Sequence, residues 1–179
     1  MVTSVLIFVG LLLGIAMLFP AKKKTYNLET PSFTAQNSTS LYFKNVRSFY
    51  YGVEELPEAG FNVYRFGESN SADKGVYLNF IIAHNWRGGE VYIATEPSEA
   101  LIAMGEIDIR IGNKIVRFEK STMNNEEQYR FAAAVFLALI EGKTVTLANT
   151  NTSIFGSLAN QDANLTVLKD YFKWLYKYR

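Results

Sequence analysis

The feature that most constrains this chain is its beginning. From Val2 to Phe19 there is no charged residue, and twelve of these positions are Val, Leu, Ile or Phe. As a helix rising about 1.5 Å per residue, the stretch reaches roughly 27 Å, close to a hydrocarbon core of about 30 Å. Each such side chain near the centre favours insertion by about 0.3 to 0.6 kcal/mol, roughly 5 kcal/mol in sum. Thr3 and Ser4, the only polar residues, sit at one end. The run therefore predicts a transmembrane anchor over residues 1–21.

A cleaved secretory signal is the competing reading, because Gly14 and Ala16 are small residues at the spacing that signal cleavage uses. Against it, Met1 to Ser4 contains no Lys or Arg, and the apolar run is longer than the usual signal core. Lys22, Lys23 and Lys24 follow the run directly. A Lys excess marks the cytoplasmic side, so the expectation is a single-pass protein whose folded part faces the cytoplasm, with a periplasmic or extracellular location as the alternative. The same lysines attract an anionic leaflet by about 1 kcal/mol each. Gly10 and Gly14 are spaced so that two helices could approach closely, which makes self-association through the anchor a further expectation.

Beyond the anchor, residues 22–40 read as a basic juxtamembrane segment and polar linker. Thr25 to Ser40 is rich in Thr, Ser, Asn and Gln and has no sustained apolar period. As a flexible coil it would span roughly 20 to 24 Å. Residues 41–179 are enough for one domain with a sizeable core. A net charge of +1 argues against a nucleic-acid surface, and the absence of cysteine removes disulfides, thiolate metal sites and cysteine nucleophiles.

Periodicity predicts an α+β domain, a mostly antiparallel sheet of hairpins packed by a buried helix and a C-terminal helix. Tyr42, Phe43, Val46, Phe49, Tyr50 and Tyr51 form a β-prone run, and strands follow over Phe61 to Phe66 and Val76 to His84. Gly88-Gly89 as a two-residue turn would pair Arg87 with Glu90, Trp86 with Val91 and His84 with Ile93. Gly112-Asn113 would pair Ile109 with Val116, Ile107 with Phe118 and Asp108 with Arg117, placing apolar residues on one face and an ion pair on the other. Pro97 to Met104 suits a short helix. A longer helix over Asn125 to Glu141 is apolar nearly all round from Phe131 to Ile140, as expected of the buried centre. Thr144 to Ala148 reads as a strand, and Ala163 to Tyr178 as a final helix with Leu165, Leu168, Phe172 and Leu175 on one face.

Candidate chemistry is sparse. His84 is the only histidine, and its expected neighbours are apolar, so a core or binding-face role is favoured over a base. One histidine without cysteine cannot build a histidine-rich zinc site. Glu54, Glu55 and Glu58, Glu96 and Glu99, Glu106 and Asp108, and Glu126 and Glu127 could do acid–base work only if folding joins distant sets. Gly142-Lys143-Thr144 lacks the earlier glycine of a phosphate-binding loop and follows a helix. Gly156-Ser157 lacks the second glycine of a nucleophile elbow. Three Asn-X-Ser/Thr triplets, at Asn37, Asn151 and Asn164, matter only if the domain is exported in a eukaryote. On the terminal helix Trp174, Lys173 and Lys177 either form an aromatic and basic face, or the aromatics pack on the sheet while the lysines meet water.

The sequence thus predicts a non-enzymatic, membrane-anchored interaction or accessory-subunit module. No catalytic residue, metal or cofactor is expected. Its partners would be the lipid bilayer and a membrane protein, and His84, Trp86, Trp174, Lys173 and Lys177 would form the binding face. A membrane-tethered hydrolase using His84 and a carboxylate, and an exported ligand-binding domain released by signal cleavage, are the alternatives.

Overall fold

The computed structural model describes residues 28–67, 75–119 and 121–176, and over these residues the chain is α+β. The expected anchor over residues 1–21, Lys22, Lys23 and Lys24, the glycines Gly10 and Gly14, and Lys177 lie outside the described residues. Among the described residues no helix is long and apolar enough to cross a membrane.

Two antiparallel sheets form, where the sequence suggested one. β1 (Tyr51–Leu56), β2 (Phe61–Phe66), β3 (Leu78–Asn85) and β4 (Glu90–Pro97) lie side by side in that order. β5 (Ile107–Ile111) is central in the second sheet, between β6 (Lys114–Phe118) and β7 (Val145–Leu147). Side chains alternate across a strand, so Leu78, Phe80 and Ile82 of β3 share one face with Val91 and Ile93 of β4, and all five are buried.

Among the described residues four α-helices accompany the sheets: α1 (Asn37–Tyr42), α2 (Glu99–Ile102), α3 (Asn125–Ile140) and α4 (Leu158–Tyr176). α3 starts with a capping box in which the Asn124 side chain accepts from Glu127 N and Glu127 accepts from Asn124 N, satisfying two otherwise orphaned donors. It ends where Gly142 takes φ +72, a left-handed conformation that costs glycine little. The helix is buried almost all round because it meets three neighbours. Phe131 packs against Phe80 of the first sheet and Phe118 of the second, at ring separations of 6.0 and 5.2 Å, while Phe136 stacks on Phe172 of α4 at 4.9 Å.

Helix side chains also complete the sheet's hydrogen bonds. The Thr95 amide donates to Gln128 Oε1 at 2.9 Å, and the Phe80 amide donates to Asn164 Oδ1 at 2.6 Å. A buried amide without a partner is costly, so one polar residue on each long helix faces the sheet.

The second hairpin has the expected register, with Ile109 opposite Val116, Ile107 opposite Phe118 and Asp108 opposite Arg117. The first does not. Asn85 pairs with Glu90 and His84 with Val91, leaving the four residues Trp86 to Gly89 in the loop. The Asn85 side chain accepts from Arg87 N at 3.2 Å and Gly88 N at 3.0 Å, and Gly89 N donates to Asn85 O at 2.9 Å with Gly89 at φ +68. This side-chain-stabilised turn outcompetes the two-residue one. The slip is two residues, so His84 keeps the face expected of it.

The β-prone run beginning at Leu41 is helical up to Tyr50. α1 continues into a π turn over Phe43–Arg47 and a 3-10 turn over Ser48–Tyr50, and β1 begins only at Tyr51. Thr39 and Phe43, four apart, are its two buried residues between Asn37 and Tyr50, which is a helical spacing. Residues 28–40 also differ from a free linker. Leu28 is buried, Val91 N donates to Phe33 O at 2.7 Å, Ala35 N donates to Gly89 O at 3.0 Å, and Phe33 packs 5.1 Å from the Tyr92 ring. Covering the outer edge of β4 satisfies the Val91 amide, and this helps draw a polar-looking stretch into the fold.

Two substitutions separate packing from capping in α3. Phe136→Ala is expected to cost about 4 kcal/mol and Asn124→Ala about 1 kcal/mol, read as urea midpoints at equal slope.

Candidate functional site

The expected site residues fall in two places. Around the C-terminal part of α4, Trp174 is buried and stacks flat on Phe43 at 4.0 Å, and its ring lies 5.4 Å from the half-buried His84. Its indole Nε1 is a buried donor with no acceptor among the described residues. Lys173 next to it is exposed. Of the two readings of this helix, the structure follows the one in which Tyr171 and Trp174 pack inward while Lys169 and Lys173 meet water. Trp86 stands elsewhere, half exposed in the hairpin loop, with the Arg87 guanidinium 5.1 Å from its ring.

The expected Arg87 and Glu90 pair does not form. Arg87 donates to the carbonyls of Pro57 at 2.7 Å and Glu58 at 3.3 Å, while Glu90 accepts from Tyr92 Oη at 2.7 Å. His84 therefore has Lys44 as its nearby charge, and burial together with that lysine holds its imidazole below the ordinary value. Among the described residues no carboxylate is hydrogen-bonded to this ring to orient it as a base.

One residue group that the sequence does not reveal joins α4 to the turn after α1. Asp170, only 5% exposed, accepts from Arg47 Nε at 3.1 and 2.9 Å, pairs with Arg47 Nη2 at 2.8 Å and accepts from Tyr51 Oη at 3.0 Å. The hydrogen bond to Asp170 raises the Arg47 pKa, and burial followed by the Asp170 charge raises that of Tyr51. A carboxylate this buried is stable only when so surrounded. Above the group opens a cavity of about 230 Å³ whose rim includes Arg47, Lys169 and Lys173.

A second, larger cleft of about 530 Å³ lies between β3 and the start of α4. Several of its polar groups are engaged in structure. Asn164, 2% exposed, donates to Asn160 O at 2.8 Å and so offers no acceptor amide for a glycan, and Ser157 accepts from Asn160 N at 3.2 Å as the cap of α4. Long-range folding does unite two acidic sets here, but around a cation. Arg65 reaches over β3 to Glu96 at 2.6 Å and also holds Glu54 at 2.7 Å, so one guanidinium pairs with both carboxylates. Glu126 pairs with Arg130 at 2.6 Å. Among the described residues no three His, Cys, Asp or Glu side chains are grouped to hold a metal ion.

The surface contributes a feature of a different kind. Leu41, Val46, Phe49 and Tyr50 point outward, with Leu41 59% and Phe49 81% exposed, next to exposed Lys44. Arg47 lies over the Tyr50 ring at 5.1 Å. Concentrated aliphatic and aromatic exposure marks interaction surfaces more often than a scattered residue does.

Two predictions concern the buried groups. Asp170→Asn is expected to cost about 2 kcal/mol, since Arg47 can still reach water and Tyr51 keeps an acceptor, whereas Glu126→Gln at an exposed pair costs under about 0.5 kcal/mol by the same denaturation measurement. A His84 pKa below its unfolded value favours the neutral ring in the fold, so that contribution is complete above about pH 6.5 and is lost as the pH falls. Stability of the parent should therefore decline more steeply from about pH 7 to pH 5 than that of His84→Gln; parallel curves would remove the contribution. Comparison of the chain with protein families, with curated proteins and with solved structures finds no match.

Proposed function

We propose that the chain is a single-pass, membrane-anchored, non-enzymatic interaction module that serves as an accessory subunit of a membrane assembly, with its folded domain on the cytoplasmic side. The observation that carries this reading is the outward apolar surface from Leu41 to Tyr50, presented by a segment whose inward residue Phe43 is fixed by stacking on Trp174. A surface of this composition has more to gain from burial than from water. The uncharged run from Val2 to Phe19 and the three lysines after it supply the anchor and its direction. The grouped charges support the same reading, because Arg65 and Arg47 already satisfy the acids that meet in the fold.

Membrane fractionation and reporter fusions test this proposal together. The full chain is expected to stay in the membrane pellet through alkaline carbonate, and a C-terminal reporter that works only in the cytoplasm is expected to be active. Release into the supernatant would overturn the anchor, and activity only from an export-dependent reporter would overturn the orientation.

A further inference from the structure

Resting on the anchored reading above, we infer that the outward face of residues 41–50 lies in the headgroup layer of an anionic bilayer, with Lys44, Lys169 and Lys173 beside the phosphates. The first argument is reach. Between Phe19, where the apolar run ends, and Leu28, which is already buried in the domain, there are nine residue steps. Fully extended, they span at most roughly 32 Å, against a domain radius of gyration of about 15 Å. The tether is thus much shorter than the sixteen-residue coil that the composition suggested, and the domain cannot leave the bilayer by more than about its own diameter.

The second argument is charge. From Lys22 to Val53 the chain carries Lys22, Lys23, Lys24, Lys44 and Arg47 against one acid, Glu29. The next acid, Glu54, is held by Arg65. α4 adds exposed Lys169 and Lys173 at the rim of the cavity beside Arg47, whose one carboxylate, Asp170, is already paired with Arg47. Apolar and aromatic side chains flanked by lysines match the boundary between acyl chains and anionic headgroups. A second copy of the chain would instead set these like charges against one another.

The chain has no cysteine, so single labels can be placed without background. Phe49→Cys tests the face. Leu158→Cys, 79% exposed at the opposite end of α4 and roughly 24 Å along the helix from Trp174, is the control. Full-length protein carrying an environment-sensitive fluorophore at either site is reconstituted into vesicles of phosphatidylcholine with or without phosphatidylglycerol, with spin-labelled lipid as quencher.

The proposal expects blue-shifted emission and several-fold stronger lipid quenching at position 49 than at 158. It also expects that difference to shrink without phosphatidylglycerol, and to shrink in anionic vesicles when Lys169→Gln and Lys173→Gln are added. Equal quenching at both sites in carbonate-resistant protein overturns the surface and leaves the anchor intact. A shift at position 49 that rises with protein density at constant lipid, without lipid quenching, overturns it in favour of a second copy. Recovery of the chain in the carbonate supernatant overturns the anchor and this inference together.

Discussion

Everything else in the fold is arranged around the burial of α3. Tyr129, Phe131, Val135 and Phe136 on this one helix are all buried, and their partners come from both sheets and from α4. A helix that is apolar nearly all round must be enclosed. Neither sheet alone could cover it, so the second sheet and α4 close over the sides that the first leaves open. The capping box at Asn124 then matters for position as well as stability, since it fixes where the enclosed helix begins.

α4 carries that enclosure to the region next to α1. Phe172 faces α3, while Trp174 faces Phe43 and Asp170 faces Arg47 and Tyr51. One helix thereby links the central core to a segment that lies more than a hundred residues earlier. The stack of Phe43 on Trp174 and the Arg47–Asp170 pair hold that segment at two points, so its outward side chains sit on a fixed backbone and not on a mobile loop. A fixed apolar surface loses less entropy on association than one that must first become ordered.

Much of this was readable before the structure. The 3.6-residue pattern located α3 and α4, and the Gly112-Asn113 hairpin was correct to the residue because its two faces differ so clearly in polarity. What escaped was decided by side chains acting on backbone. Asn85 caps its own turn and shifts a register, and Gln128 and Asn164 accept from strand amides, which no periodicity reveals. The Arg47–Asp170–Tyr51 group was hidden for a related reason, since residues so far apart in the chain leave no local pattern. Segment 28–40 reads as linker because its composition is polar, and composition does not record the backbone hydrogen bonds through which Phe33 and Ala35 join the β4 edge.

The misreading of residues 41–50 is itself informative. β-prone side chains usually imply two flanking layers, and here one side of the segment does meet the core through Phe43. The opposite side carries Leu41, Val46 and Phe49 with no layer over it among the described residues. Solubility alone would favour polar residues at those positions, because nothing in the packing of Phe43 against Trp174 requires Phe49 to be aromatic. An apolar choice on the free side of a short helix fixed in place is therefore best explained by a second apolar medium on that side. On the proposed anchored reading, that medium is the bilayer.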